Sequence, residues 1–160
     1  MRMLDFITRH PSHTLGPMGL LAADRFLKGV ASKNFSTEGF VLIPHVLDFE
    51  LFRNQGIAFS IPFSGPLLWI LSLALIVFFT VFSSGYGSKK PRIFFFAYLL
   101  FIFGALSNLY DRIVLGYTTD YLIFFGRSAV NIADGMIIFG AIVLIWGMKK
   151  EAGSLSQGSR

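Results

Sequence analysis

The sequence predicts an all-α membrane protein, with four transmembrane helices and a small extracytoplasmic β-sheet between the first helix and the second. Hydrophobic residues make up 54% of the 160 residues and charged residues only 14%, which is too apolar for an ordinary soluble domain of this size. The lysines and arginines stand in small groups beside apolar runs, as cytoplasmic membrane anchors do. The net charge of +5 therefore indicates membrane anchoring, and no nucleic acid is expected as a partner.

The first predicted span, residues 14–31, is the weakest of the four. Its apolar part is shorter than the roughly 20 residues that cross hydrocarbon, and Gly16-Pro17 favours the start of a helix or a kink over a place inside a helix. Asp24 and Lys28 are spaced i, i+4 and can pair on one face. The alternative interpretation of this segment is an interfacial helix that carries a solvated ion pair.

Residues 34–63 have a different pattern, with short β-branched and aromatic runs that are broken by Pro44, Gly56 and Pro62. No helical period is sustained there, so the pattern predicts short strands and turns. The polar residues of the segment place it outside the hydrocarbon. We expect a small sheet that lies on one membrane face.

Three further spans follow the sheet segment. Residues 66–83 contain no charge and form the clearest spanning helix. A second span covers residues 93–109 and ends in a polar cluster, and the last runs from about residue 130 to residue 148. We expect one membrane domain over residues 1–151 and a disordered, small and polar tail over residues 152–160.

Lysine and arginine counts in the short flanks predict the orientation. The loop at 84–92 and the C-terminal tail each carry three, and the N-terminus carries two. An excess of these residues marks the cytoplasmic side. Four spans with both termini in the cytoplasm fit this count and place the acid-rich stretch 104–137 on the outer side.

Two Asn/Asp pairs stand at the ends of the last two predicted spans. Asn108 and Asp111 are three positions apart, as are Asn131 and Asp134, so each pair projects from one helical face. Two antiparallel helices would bring the pairs together at one membrane surface, with Asp120 on the connecting segment. The alternative is that Asp111 only ends a helix and Asp134 only supports polar packing between helices.

The number of acids in this small, poorly solvated region favours chemistry over packing. Two carboxylates that are held close cannot both ionise cheaply, so they share a proton at moderate pH. An aspartic protease needs that state, because one acid polarises the scissile carbonyl while the other activates water. The sequence has no cysteine, no HExxH and no GxSG-type turn, so other hydrolase chemistries lack their parts.

Five ordered segments carry a family pattern, beginning with Asp24-Arg25-Phe26-Leu27-Lys28, which fits Asp-x-x-x-Lys. The other segments are 54–60, 104–112, 116–121 and 130–134, which are similar to Asn-x-Gly-x-Ala-Phe-Ser, Gly-Ala-x-Gly-Asn-x-x-Asp-Arg, Gly-x-Val-Val-Asp-Phe and Phe-Asn-x-Ala-Asp. In this order they resemble the motifs of the lipoprotein signal peptidase family, also called signal peptidase II.

The resemblance implies an aspartic endopeptidase of the bacterial inner membrane that removes signal peptides from diacylglyceryl-modified prolipoproteins, cutting just before the lipidated cysteine. Asp120 and Asp134 would be the catalytic pair. No metal or organic cofactor is expected; the partners would be the prolipoprotein and membrane lipid, and the enzyme would be a monomer. Asn54, Asn108, Asp111, Arg112 and Asn131 would orient the substrate or support the pair, and Asp24 with Lys28 would brace the first helix.

The chain departs from the family pattern at a few positions. Ser107 replaces a glycine, Thr118-Thr119 replace an apolar pair, Val130 replaces a phenylalanine, and the stretch between Asp120 and Asp134 is short. Two non-enzymatic alternatives follow: a non-catalytic relative that binds lipidated peptides, and a small membrane protein that moves protons or ions. Transport predicts internal repeats, of which the sequence has none, and degeneracy predicts a lost acid, whereas both acids are present.

Overall fold

The protein was analysed as a computed structural model, which describes residues 12–35, 38–56, 66–84 and 92–157. These residues form helices and one four-stranded antiparallel sheet, which confirms a mostly helical fold with a small sheet. The elements, in order, are α1 (Ser12–Asn34), β1 (Phe40–Ile43), β2 (Leu47–Asn54), α2 (Pro66–Ser84), α3 (Arg92–Leu115), β3 (Thr118–Phe124), β4 (Ser128–Val130) and α4 (Ile132–Gln157).

Helix α1 is longer than the predicted span 14–31 and contains Pro17 in its interior. A Cβ atom at Gly16 would lie 3.1 Å from the ring of Phe96 on α3, so the glycine lets the two helices approach closely. Asp24 and Lys28 do pair, at 3.2 Å, but they are 0% and 2% exposed. The interpretation as a solvated interfacial pair is therefore wrong, because α1 packs its charged face inward.

The sheet has the order β1-β2-β3-β4, and all neighbouring strands are antiparallel. The sequence places the sheet within residues 34–63 only, whereas β3 and β4 come from residues 118–130, which were expected only to connect two helices. Strand β3 is buried along most of its length, so it lacks the apolar-polar alternation that marks a half-buried strand. Residues 57–63 of the predicted sheet segment lie outside the described residues.

Helices α3 and α4 pack closely against each other because both carry glycine at the contact. A Cβ atom at Gly104 would lie 2.6 Å from the carbonyl oxygen of Ala133, and one at Gly140 would lie 2.6 Å from that of Ala97. Small residues allow such close backbone approach between apolar helices. This contact sets the end of α3 beside the start of α4, where the Asn/Asp pairs lie.

Within the described ranges, α3 is the one helix that is both long and apolar enough to cross a membrane, and shorter apolar stretches lie at Trp69–Val81 and Ile132–Gly147. Helix α4 continues to Gln157, so residues 152–157 are helical where a disordered tail was expected. Extending an existing helix requires no new nucleation. The remaining tail, the N-terminal residues 1–11 and the basic loop at 85–91 lie outside the described part of the chain.

Candidate active site

Asp120 lies on β3, between β2 and β4, and is 1% exposed. Its two carboxylate oxygens accept hydrogen bonds from two side-chain amides. Asn54 Nδ2, at the end of β2, donates to Oδ2 at 2.8 Å, and Asn131 Nδ2, before α4, donates to Oδ1 at 2.5 Å. Neutral donors therefore hold this buried carboxyl group.

Asp134 lies in the first turn of α4 and takes part in the cap of that helix. Its backbone N–H donates to Asn131 Oδ1 at 2.9 Å, and its Oδ2 accepts from the Asn131 N–H at 3.2 Å, which is a reciprocal capping arrangement. Asn108 Nδ2, on α3, donates to its Oδ1 at 2.7 Å. Asn131 thus caps α4 and holds both Asp120 and Asp134.

The electrostatic surroundings of Asp120 favour its protonated form. Burial, and secondly the nearby Asp134 carboxylate, raise the pKa of Asp120 to about 7, although the bonds from Asn54 and Asn131 oppose the shift. Among the described residues, neither Asp120 nor Asp134 makes a salt bridge. Close carboxyl groups that no salt bridge neutralises share a proton, so the pair can both donate and accept one near neutral pH.

A second group of acids lies nearby and is held by cations. Lys28 Nζ, on α1, lies 2.9 Å from Asp111 Oδ2 and 3.2 Å from Asp24 Oδ2. Arg25 adds a salt bridge to Asp111 Oδ1. Asp24, Asp111 and Lys28 are all almost completely buried, and buried charges of this kind are tolerated when they are paired and hydrogen-bonded. This ion cluster ties α1 to α3.

Asn108 links the ion cluster to the Asp120–Asp134 pair. Its Oδ1 accepts a hydrogen bond from Lys28 Nζ at 2.7 Å, and its Nδ2 donates to Asp134 Oδ1. An ammonium group can only donate, so Lys28 fixes the carbonyl side of the amide and leaves its NH₂ for Asp134. The cluster therefore orients a donor of the pair.

Sequence reasoning did not assign two hydroxyl groups that hold Asp24. Ser107 Oγ donates to Asp24 Oδ2 at 2.6 Å, and the Tyr121 hydroxyl donates to Oδ1 at 3.1 Å while accepting from the Ile132 N–H at 3.0 Å. Burial raises the pKa of Tyr121 above its usual range, so it remains a donor. The sequence did offer a signal for each hydroxyl group: Ser107 replaces the glycine of the family motif, and Tyr121 directly follows Asp120.

Arg112 lies near the pair and is oriented toward α2. Its Nη1 donates to Ser72 Oγ at 3.5 Å, and its guanidinium interacts electrostatically with the carboxylates of Asp134 and Asp120. The Nε atom is buried without a partner among the described residues. The structure thus joins every residue singled out from the sequence to the pair or to the ion cluster, with Arg112 at the edge of both.

Comparison with known proteins shows to which family the chain belongs. Residues 18–150 match the model of signal peptidase (SPase) II. The chain belongs to the signal peptidase II family. The lipoprotein signal peptidase of Shewanella sp. (strain MR-4) is 33% identical over 132 residues, which cover 78% of each chain. That of Caldicellulosiruptor bescii is 31% identical over 139 residues, which cover 85% of this chain and 89% of the relative.

Two solved structures of bacterial membrane enzymes, both determined by the in meso method, share the fold of this signal peptidase II family member. They superimpose with TM-scores of 0.73 and 0.69, at 22% and 23% identity, and the matches cover 90% and 86% of this chain and 91% and 92% of theirs. The family prediction is therefore confirmed, and with it a protease of a bacterial membrane whose family cleaves the signal peptides of lipoproteins.

Proposed function

We propose that Asp120 and Asp134 are the catalytic pair of an aspartic endopeptidase that cuts diacylglyceryl-modified prolipoproteins just before the lipidated cysteine. One observation carries this assignment. The carboxyl groups of Asp120 and Asp134 share Asn131 and are held by amides, whereas the neighbouring acids Asp24 and Asp111 are neutralised by cations. Only the pair keeps the mixed protonation that acid-base catalysis requires.

The pair supplies both proton transfers of peptide hydrolysis. The protonated carboxyl group hydrogen-bonds the scissile carbonyl oxygen, and the ionised one takes a proton from the water that attacks the carbonyl carbon. When the C–N bond breaks, the new amine takes a proton from the pair, which returns to its singly protonated state. The pKa of Asp120, raised to about 7, places this shared proton in the neutral range.

The surrounding amides position the two carboxyl groups without neutralising them. Asn54, Asn108 and Asn131 each donate to a carboxylate oxygen of the pair at 2.8 Å or less. A cation at the same distance would keep both acids ionised and remove the proton that the reaction needs. In this proposal Asp24, Lys28 and Asp111 brace α1 and orient Asn108. Arg112, whose Nε has no partner in the described part of the chain, is left to contact the substrate.

Helix lengths support four membrane spans. At a rise of 1.5 Å per residue, α1, α2 and α4 are about 34, 28 and 39 Å long, against a hydrocarbon thickness of about 30 Å. Short connections join the sheet to three helix ends: five residues follow the C-terminus of α1, two follow that of α3, and one precedes the N-terminus of α4. In this proposal the sheet lies at the outer membrane–water interface, and both termini lie in the cytoplasm. The enzyme is a monomer that crosses the inner membrane several times and is surrounded by the lipid of that membrane.

A cleavage assay tests the proposal. We expect the purified protein in detergent to remove the signal peptide from a diacylglyceryl-modified prolipoprotein, and Asp120→Asn or Asp134→Asn to slow cleavage at least about 10³-fold, within the range that acid-base groups contribute. Asp48→Asn is the matched control, because Asp48 lies on β2 outside the pair, and it should cut normally. A protein that binds the substrate but leaves it intact, where an authentic signal peptidase II cuts, would instead be a non-catalytic relative.

A further inference from the structure

Thr118 carries a buried hydroxyl group that the described part of the fold does not use. It is the first residue of β3 and is 2% exposed, yet its Oγ1 has no hydrogen-bond partner among the described residues. Buried hydroxyl groups are nearly always paired, because an unpaired one loses its bonds to water without replacement. The Thr118 hydroxyl lies on the strand that carries Asp120, so its lack of a partner among the described residues requires an explanation.

The hydroxyl lies on the face of the sheet that carries Asp120. Thr118 and Asp120 are two positions apart on β3, so their side chains point to the same face. Thr118 also pairs with Asn54 across the β2–β3 ladder, and the Asn54 side chain donates to Asp120. Tyr121 points the other way, toward Asp24 on α1. Thr118 therefore belongs to the reacting side of the strand.

A second unpaired polar atom lies close in the chain. Arg112 Nε is buried without a partner in the described part of the protein. Only the short connection after Leu115 separates the end of α3 from Thr118. Arg112 offers an N–H donor and Thr118 a group that can donate or accept. A peptide group presents one donor and one acceptor, so a stretch of substrate main chain can satisfy both.

We propose that Thr118 binds substrate, with its Oγ1 hydrogen-bonded to a main-chain peptide group of the prolipoprotein beside the scissile bond. This inference rests on the proposed function. Asp120 is 1% exposed and must still meet the scissile bond. Because Thr118 lies two positions away on the same face of β3, a peptide that meets Asp120 passes beside it. The motif that this segment resembles has valine here.

Two substitutions at Thr118 test the inference. Thr118→Val removes the hydroxyl at nearly constant shape. We expect it to raise KM about fivefold, the effect of one neutral hydrogen bond, with kcat within about twofold. Thr118→Ser keeps the hydroxyl and should restore KM. Without substrate, Thr118→Val should unfold at the wild-type temperature or higher, because it removes an unpaired buried group.

The outcomes separate this inference from the proposed function. If the wild type cuts the prolipoprotein and Thr118→Val leaves KM unchanged, the inference fails alone. It also fails if Thr118→Val unfolds at a lower temperature, since the hydroxyl then has a partner within the protein. A main-chain contact predicts the same rise in KM for two prolipoproteins with different side chains around the cleavage site, and a rise confined to one of them would overturn it. A wild type that cuts nothing removes the proposed function and this inference together.

Discussion

Two groups of acids lie side by side in this protein and are held in opposite ways. Lys28 and Arg25 hold Asp24 and Asp111 through salt bridges of 3.2 Å or less. Asp120 and Asp134 accept hydrogen bonds from asparagines and from a backbone N–H. The first group resembles a structural ion cluster, and the second resembles a proton-transfer site, although Asp24, Asp111 and Asp120 are equally buried.

The difference shows that the choice of partner, rather than burial alone, separates structure from chemistry in this site. A cation favours the ionised form of an acid, whereas an amide donor offsets only part of the cost of burial. For Asp120 the balance leaves the pKa raised to about 7. Asn108 joins the two groups, since it accepts from Lys28 and donates to Asp134. The ion cluster therefore serves the pair through one amide.

Removing Lys28, the cation that Asp24 and Asp111 share, should produce the largest change in stability. Lys28→Met leaves Asp24 without its salt bridge and Asp111 with only Arg25. Breaking a buried pair in this way costs about 3–5 kcal/mol, so we expect a large fall in the unfolding temperature of the protein in detergent. The matched control is Lys33→Met, because Lys33 is exposed at the end of α1 and should change stability by less than about 0.5 kcal/mol. Similar effects of the two substitutions would show that the cluster does not hold α1.

Removing one neutral donor from the ion cluster should have a smaller effect. Tyr121→Phe deletes a hydroxyl that donates to Asp24 and accepts from the Ile132 N–H. We expect a loss of about 1–2 kcal/mol, because each group keeps fewer bonds in a buried site. Chemical unfolding in detergent measures this loss. A loss as large as that of Lys28→Met would mean that hydroxyl groups, and not cations, hold the cluster.

The pair should respond to the loss of an amide through its pH dependence. The activity of the wild type should fall as the pH rises through about 7, because the pair then loses its shared proton. Asn54 donates to Asp120 and lowers its pKa, so Asn54→Ala raises that pKa and should move the falling limb to higher pH. The pH profile of kcat/KM measures this limb. Asn34→Ala, at the exposed end of α1, should leave the limb in place, and a shift to lower pH in Asn54→Ala would contradict the account.

Local sequence patterns predicted the helices well, because long apolar runs such as residues 66–83 leave few alternatives. They also predicted which residues meet, since Asn108 and Asp134 stand at helix ends that α3 and α4 bring together. Half of the sheet was missed. Strand β3 pairs with β2 across more than sixty residues, and its burial on both faces hides the strand period.

Spacing along the sequence also could not predict most of the residues that bond to the acids. Asp24 and Lys28 can pair by their spacing on α1, but the bonds of Asp24 to Ser107 and Tyr121 join three elements. Such contacts depend on how helices and sheet pack, which no local pattern records. For the same reason the sequence marked Thr118 only as a departure from a motif, and the structure shows that its hydroxyl has no partner among the described residues.

One pair of substitutions tests most directly that the two groups of acids differ in kind. Between about pH 4 and pH 7 the folded protein binds a proton at Asp120 that the unfolded chain releases, so the stability of the wild type falls as the pH rises. Asp120→Asn has no such proton and therefore does not lose stability in this way. At pH 8 we therefore expect Asp120→Asn to be inactive and to lower the unfolding temperature less than Asp24→Asn, which weakens the Lys28 salt bridge. Cleavage by Asp120→Asn, or an unfolding temperature as low as that of Asp24→Asn, would contradict the account.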